Sequence, residues 1–240
     1  MTASEKAHAL LDGVRVLHDE WALVAGGLTE AQLRAPSELP DWTRAHVVSH
    51  VARNADGLLN LLTWARTGIE KPMYPSAEVR EQEIEDGARR GAAEIVADLL
   101  AAGEKFFEYA DAMPDDTWAA EVRNRTGTAI AGSVVARMRL SEVTIHLADL
   151  GHGYDLARAI GLAGPLVDDL VEHAIFTRAA HLPAISLVGI AEDGTRYEWA
   201  MGAAAGPTVT GSCADVLAWL TGRADGSALD GDVPPLPPFK

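Results

Sequence analysis

The sequence holds a single cysteine, Cys213, no long apolar run and too few basic residues to balance its acids. One cysteine excludes an internal disulfide and fits a reducing compartment. No stretch approaches the roughly 18 apolar residues of a membrane span. The N-terminal MTASEKAHALL carries acidic residues where a secretory signal would carry an apolar run. A cytoplasmic protein is therefore the expectation. Against 35 acidic residues stand 20 basic ones, a formal net charge of -15. So acidic a chain lacks the basic footprint of a nucleic-acid binder and does not suit an anionic membrane surface. An anionic substrate would need local arginines or a metal ion set against the global field. What the chain does have is apolar mass: 48% of 240 residues, enough for one sizeable core or two smaller ones.

Apolar positions recur at helical spacing over 4–25, through Leu10, Leu11, Val14, Leu17, Trp21 and Val24, and Gly26-Gly27 stops that run. A short turn is expected at 29–34, and Pro36 and Pro40 mark a loop. Thr43 N-caps a long helix running to Thr67-Gly68, and Ser76 caps a further one. Helices over 92–112 and from Gly132-Ser133 to Leu150 flank an extended stretch at 118–131, a small hairpin turning through 124–127. Four principal helices without alternating strands argue a bundle. After Pro165 the character changes. A helix at 165–180 precedes two strands around Glu192-Asp193-Gly194, a third short strand (PTVTG), a helix capped by Ser212 and a proline-rich surface tail. The expected fold is mainly α with a small α/β part: a helical bundle over 1–155 and a small α/β domain over 156–240. Nothing in the pattern specifies an oligomeric state.

Glu142 and His146 stand at i,i+4 and share one helix face, so both can reach one ion. With a histidine from the earlier helix, they form a two-histidine, one-carboxylate set that leaves a coordination position open. The spacing alone carries little: 35 acids and 8 histidines in 240 positions produce about one such pair by chance. Asp169 and His173 repeat it. The apolar surroundings of the first pair weigh more, because a buried carboxylate there needs a metal or an arginine such as Arg137 or Arg139. His46 and His50 also stand at i,i+4 and could both bind one ion. The face that carries Val47, Val51, Asn54, Leu58 and Leu61 includes His50 more centrally, whereas His46, near the helix start, could be exposed. Asp149 follows His146 by three residues and suits either a group that orients it or solvation of the helix end. Cys213, at a helix N-terminus, reads as a reactive thiol or, more commonly, a small buried residue.

Three blocks carry a resemblance over nearly the whole chain: LPDWTRAHVVSHVARNADGLLNLLTWARTGIEKPMYPSAEVREQEIEDG, MRLSEVTIHLADLG and TGSCADVLAWLTGRADG. The sequence resembles the mycothiol-dependent maleylpyruvate isomerases, members of the DinB-like (YfiT-like) metal-binding four-helix bundles. The resemblance implies a zinc ion held by His50, Glu142 and His146, with mycothiol as the thiol cofactor. It also implies Arg80 and Arg223 as anchors for the carboxylates of a small dianionic substrate. On residue types alone, Arg80 is equally a partner of Glu83 on a solvated helix, and Arg223 a cation placed where a helix ends. The implied chemistry is addition of the thiolate to the cis double bond of maleylpyruvate, rotation, and elimination to fumarylpyruvate, a step of gentisate-type aromatic degradation. The resemblance leaves two alternatives: a mycothiol S-transferase, or a non-catalytic metal-binding bundle.

Overall fold

The computed structural model describes residues 1–201 and 206–237, so the last three residues of the expected tail lie outside the described part. The chain divides into two compact units, Met1–Asp155 and Leu156–Lys240.

The first unit is built on four long helices: α1 (Ala3–Gly27), α3 (Arg44–Thr67), α5 (Ala92–Asp111) and α6 (Val134–Asp149). Two short ones, α2 (Glu30–Arg34) and α4 (Ala77–Ala88), lie between them. The start of α1 has a local cause. Thr2 and Glu5 form a reciprocal capping box, with Glu5 N–H on Thr2 Oγ1 at 3.1 Å and Thr2 N–H on Glu5 Oε2 at 2.7 Å. α3 ends on Gly68, whose φ of 68° is the left-handed conformation a helix C-terminus often adopts. α1 packs on α6 and α5, and α3 packs on α5, α4 and α6. Leu10, Leu17, Trp21, Leu58, Leu61, Phe106, Leu140 and Leu147 fill the space between them. Truncating a fully buried leucine here to alanine would cost about 2–5 kcal/mol. Trp21 Nε1 donates to Val143 O at 2.9 Å, which ties α1 to the middle of α6.

The expected hairpin is present. β1 (Glu121–Arg123) and β2 (Ala129–Ala131) pair antiparallel with Val122 opposite Ile130. Asn124 Oδ1 holds the turn by accepting from Thr126 and Thr128 N–H. α4 lies close against α3: Ser49 Oγ donates to Ile84 O at 3.0 Å, and a Cβ on Gly87 would fall 2.1 Å from that same Oγ. Only a glycine at 87 allows this approach.

The second unit carries α7 (Leu156–Ala163), α8 (Val167–Arg178), β3 (Ile185–Ile190), β4 (Arg196–Met201), β5 (Thr208–Ser212) and α9 (Cys213–Leu220). The sheet order is β4-β3-β5, antiparallel on the β4 side and parallel on the β5 side. Sequence reading leaves 156–163 without an element, yet it forms α7. Eight residues give periodicity too little length to register, and only Ala159, Ile160 and Ala163 are buried. α9 begins on Ser212, whose Oγ accepts from Asp215 N–H at 3.0 Å. Cys213 is buried, and burial pushes its thiol up to about 11, so it behaves as an inert small residue.

Candidate metal centre

α6 and α3 bring the chemistry together. α6 places Glu142 and His146 one turn apart on one face, and α3 presents His50 opposite them. His50 Nε2 lies 3.1 Å from Glu142 Oε2 and 3.0 Å from His146 Nε2, and the third edge, His146 Nε2 to Glu142 Oε2, is 3.3 Å. The two imidazole rings stand nearly perpendicular, at 89°. Among the described residues this is the group whose donor atoms all lie within 4.8 Å of one another.

The donor set fits a divalent ion. Ligands about 2.0–2.1 Å from a tetrahedral ion stand roughly 3.3–3.4 Å from each other, and the three edges observed are close to that. Three protein ligands leave a fourth position for exchange. Behind the site, His146 Nδ1 is 2.8 Å from Asp149 Oδ2 and Asp149 is buried. An Nδ1–H donated to this carboxylate leaves the Nε2 lone pair facing the other two donors.

The electrostatics of His50 and Glu142 suit ligation, whereas those of His146 favour a proton in the absence of a metal. His50 is lowered to about 4 by burial and by the charge of His146, so it is a neutral imidazole near pH 7. Burial alone would raise Glu142, but its hydrogen bonds with His146 and His50 hold it well below the usual carboxylate range. Burial opposes charge on His146 as well, yet the hydrogen bonds to Asp149 and Glu142 raise it.

His46 is turned to another task. Its Nδ1 accepts from Thr43 N–H at 3.2 Å, closing the N-terminus of α3, and its Nε2 lies 3.2 Å from Glu85. Of the two histidines the sequence leaves open, only His50 faces Glu142. Arg139 is fully buried and donates to Val51 O at 2.8 Å and Asn54 Oδ1 at 2.9 Å, so it braces α6 against α3. Trp42 closes one side, with its ring 5.5 Å from that of His50.

Arg80, on α4, reaches the cluster. One guanidinium nitrogen is 3.2 Å from His50 Nδ1 and another pairs with Glu81. The partner on its own helix is thus Glu81 rather than the Glu83 suggested by helical spacing. The ring of Tyr74, a residue to which sequence reasoning assigns no role, faces the Arg80 guanidinium at 5.7 Å. Arg223 belongs to the second unit, just beyond α9, where it donates to Thr221 O at 2.7 Å. Burial and the neighbouring Arg223 charge lower Arg178 from the usual arginine value, so two cations lie close together there. His173, of the second carboxylate–histidine pair, stacks with Phe176 at 6.4 Å. Among the described residues, Asp169 and His173 take part in no three-donor group.

Residues 14–151 match the mycothiol maleylpyruvate isomerase N-terminal domain. The crystal structure of a mycothiol-dependent maleylpyruvate isomerase is similar over 100% of this chain and 98% of that one, at 26% identity and a TM-score of 0.78. That of a histidine-to-alanine mutant of a mycothiol-dependent maleylpyruvate isomerase matches with the same identity and coverage and a TM-score of 0.77. No curated protein matches.

Proposed function

The chain belongs to the mycothiol maleylpyruvate isomerase family, and on that premise we propose that it is a zinc- and mycothiol-dependent cis–trans isomerase converting maleylpyruvate to fumarylpyruvate. The observation that carries the proposal is the convergence of His50, Glu142 and His146 with the Arg80 guanidinium 3.2 Å from His50. It supports reading a Lewis-acid site beside a cation for a carboxylate, in a protein whose net charge of -15 would otherwise repel a dianion.

In this reading His50, Glu142 and His146 hold zinc through Nε2, a carboxylate oxygen and Nε2. When bound, the metal would keep the mycothiol sulfur as a thiolate for reversible addition to the cis double bond. The protein's own contribution is placement. Asp149 fixes the tautomer and direction of His146. The lowered basicity of His50 keeps its imidazole neutral, so that one ring nitrogen keeps a lone pair for a ligand role. Arg80 binds a substrate carboxylate and balances the negative charge that grows as the double bond is attacked. Arg223 is assigned the second carboxylate on the family resemblance.

The test pairs elemental analysis of the purified protein with maleylpyruvate turnover at substoichiometric mycothiol. One bound zinc and many turnovers per thiol are expected. Loss of one thiol per product would make the protein an S-transferase, and full activity after complete chelation would remove the metal from the mechanism.

A further inference from the structure

We propose that Tyr74 is the positioning residue for Arg80, holding its guanidinium beside His50, and that Gly57 is a glycine because the Tyr74 ring needs its space. This rests on the reading of Arg80 as a carboxylate anchor.

The argument starts on α3. His50 and Gly57 are seven residues apart, two helical turns, so they lie on one face. Gly57 is buried without a special backbone conformation to explain it. Its reason is spatial: a Cβ there would stand 2.9 Å from Tyr74 Cε1, 3.0 Å from Tyr74 Cζ and 3.0 Å from Met73 Cγ. Asn60, three residues further along α3, donates from Nδ2 to Met73 O at 3.3 Å. Pro72 and Pro75 restrict the backbone on either side. The Met73-Tyr74 segment is therefore seated on the metal-facing side of α3 by a matched gap and a hydrogen bond.

Seated there, the ring lies 5.7 Å from Arg80 Cζ, within cation–π reach. Arg80 has reason to stray. It sits on a helix rich in acids, with Glu78, Glu81 and Glu83 within three positions, and already pairs with Glu81. An aromatic face on its other side opposes withdrawal toward that surface. The phenol brings no competing charge, because burial and the nearby Glu142 charge push it up to about 12 and keep it protonated. Both parts of the side chain face Arg80: the ring at 5.7 Å, and the phenol, whose interaction with the guanidinium acts against the upward shift.

The experiment measures binding of maleate, an unreactive cis-dicarboxylate, to the zinc-loaded protein by calorimetry. Zinc content and melting temperature are checked in every variant. Tyr74→Phe, which keeps the ring and removes the hydroxyl, should weaken binding less than Tyr74→Leu. Tyr74→Leu should weaken binding about fivefold or more with zinc content unchanged. Gly57→Ala, which displaces the ring without touching it chemically, should shift binding in the same direction. Combined with Arg80→Ala, Tyr74→Leu should add nothing, since it acts through the arginine. Equal losses from Tyr74→Leu with and without Arg80→Ala, or native binding in both Tyr74→Leu and Gly57→Ala, would overturn the inference. Maleate binding that is absent from the native protein, or indifferent to Arg80→Ala, would instead overturn the substrate reading beneath it.

Discussion

The pair Glu142–His146 on α6 and the pair Asp169–His173 on α8 share one spacing and meet different surroundings. The first faces His50 across the bundle at 3.0–3.1 Å, has Asp149 behind it and Arg80 beside it. The second has Phe176 stacked on its histidine. A helix can set two donors on one face by itself. The third donor and the arginine beside it come from packing. Asp149 adds a further distinction. It lies on the same helix as the ligands and is buried, so its carboxylate needs a partner as much as His146 needs a director.

The comparison breaks most severely at His50. His50→Ala leaves the α6 pair intact, yet zinc stoichiometry by elemental analysis should fall to near zero and isomerase activity by at least about 100-fold. Retained zinc would mean that the α6 pair suffices without its facing helix. Asp149→Asn keeps the shape and removes the charge behind His146; a competitive chelator titration should show zinc affinity weaker by about 10–100-fold.

A pH effect comes next. His146 is raised in the metal-free protein, so its stabilising contribution is fully present below the unfolded value of 6.5 and is lost as pH rises through the folded value. Zinc needs that proton gone, so its binding strengthens over the same interval. The rise in melting temperature on adding zinc should thus be larger at about pH 8.5 than at about pH 6. A pH-independent rise would show that no ligand carries a proton in the metal-free state. The smallest effect is expected at the other pair. His173→Ala should leave zinc content and turnover unchanged and alter stability by about 0.5 kcal/mol or less, read from chemical denaturation.

Much of the bundle was legible because its signals are local. Caps at Thr43 and Ser76 and the stop at Gly68 lie within a turn of the boundaries they set. α7 was not legible, being too short for its period to stand out, nor was the parallel pairing of β5 with β3, which depends on a partner more than 15 residues away. At the site, residues alone could name Glu142 and His146 but left His46 against His50 open. In the structure Thr43 N–H and Glu85 occupy His46, and His50 is the one that meets Glu142. Tyr74 escaped notice because its signal is an empty place on another helix, at Gly57, and emptiness has no period.

The close approach of Gly87 to Ser49 offers a way to sort relatives of this chain. α4 buries little beyond Ile84, Gly87 and Ala88, yet it carries Arg80. A homologue with a bulkier residue at 87 would have to lift α4 from α3 while keeping all three donors in place. On the proposed role of Arg80, such a protein should keep the three donors and lose affinity for dicarboxylates. On that proposal, the pair of small residues at 49 and 87 would serve as a marker, outside the donor set, for relatives that bind dicarboxylates.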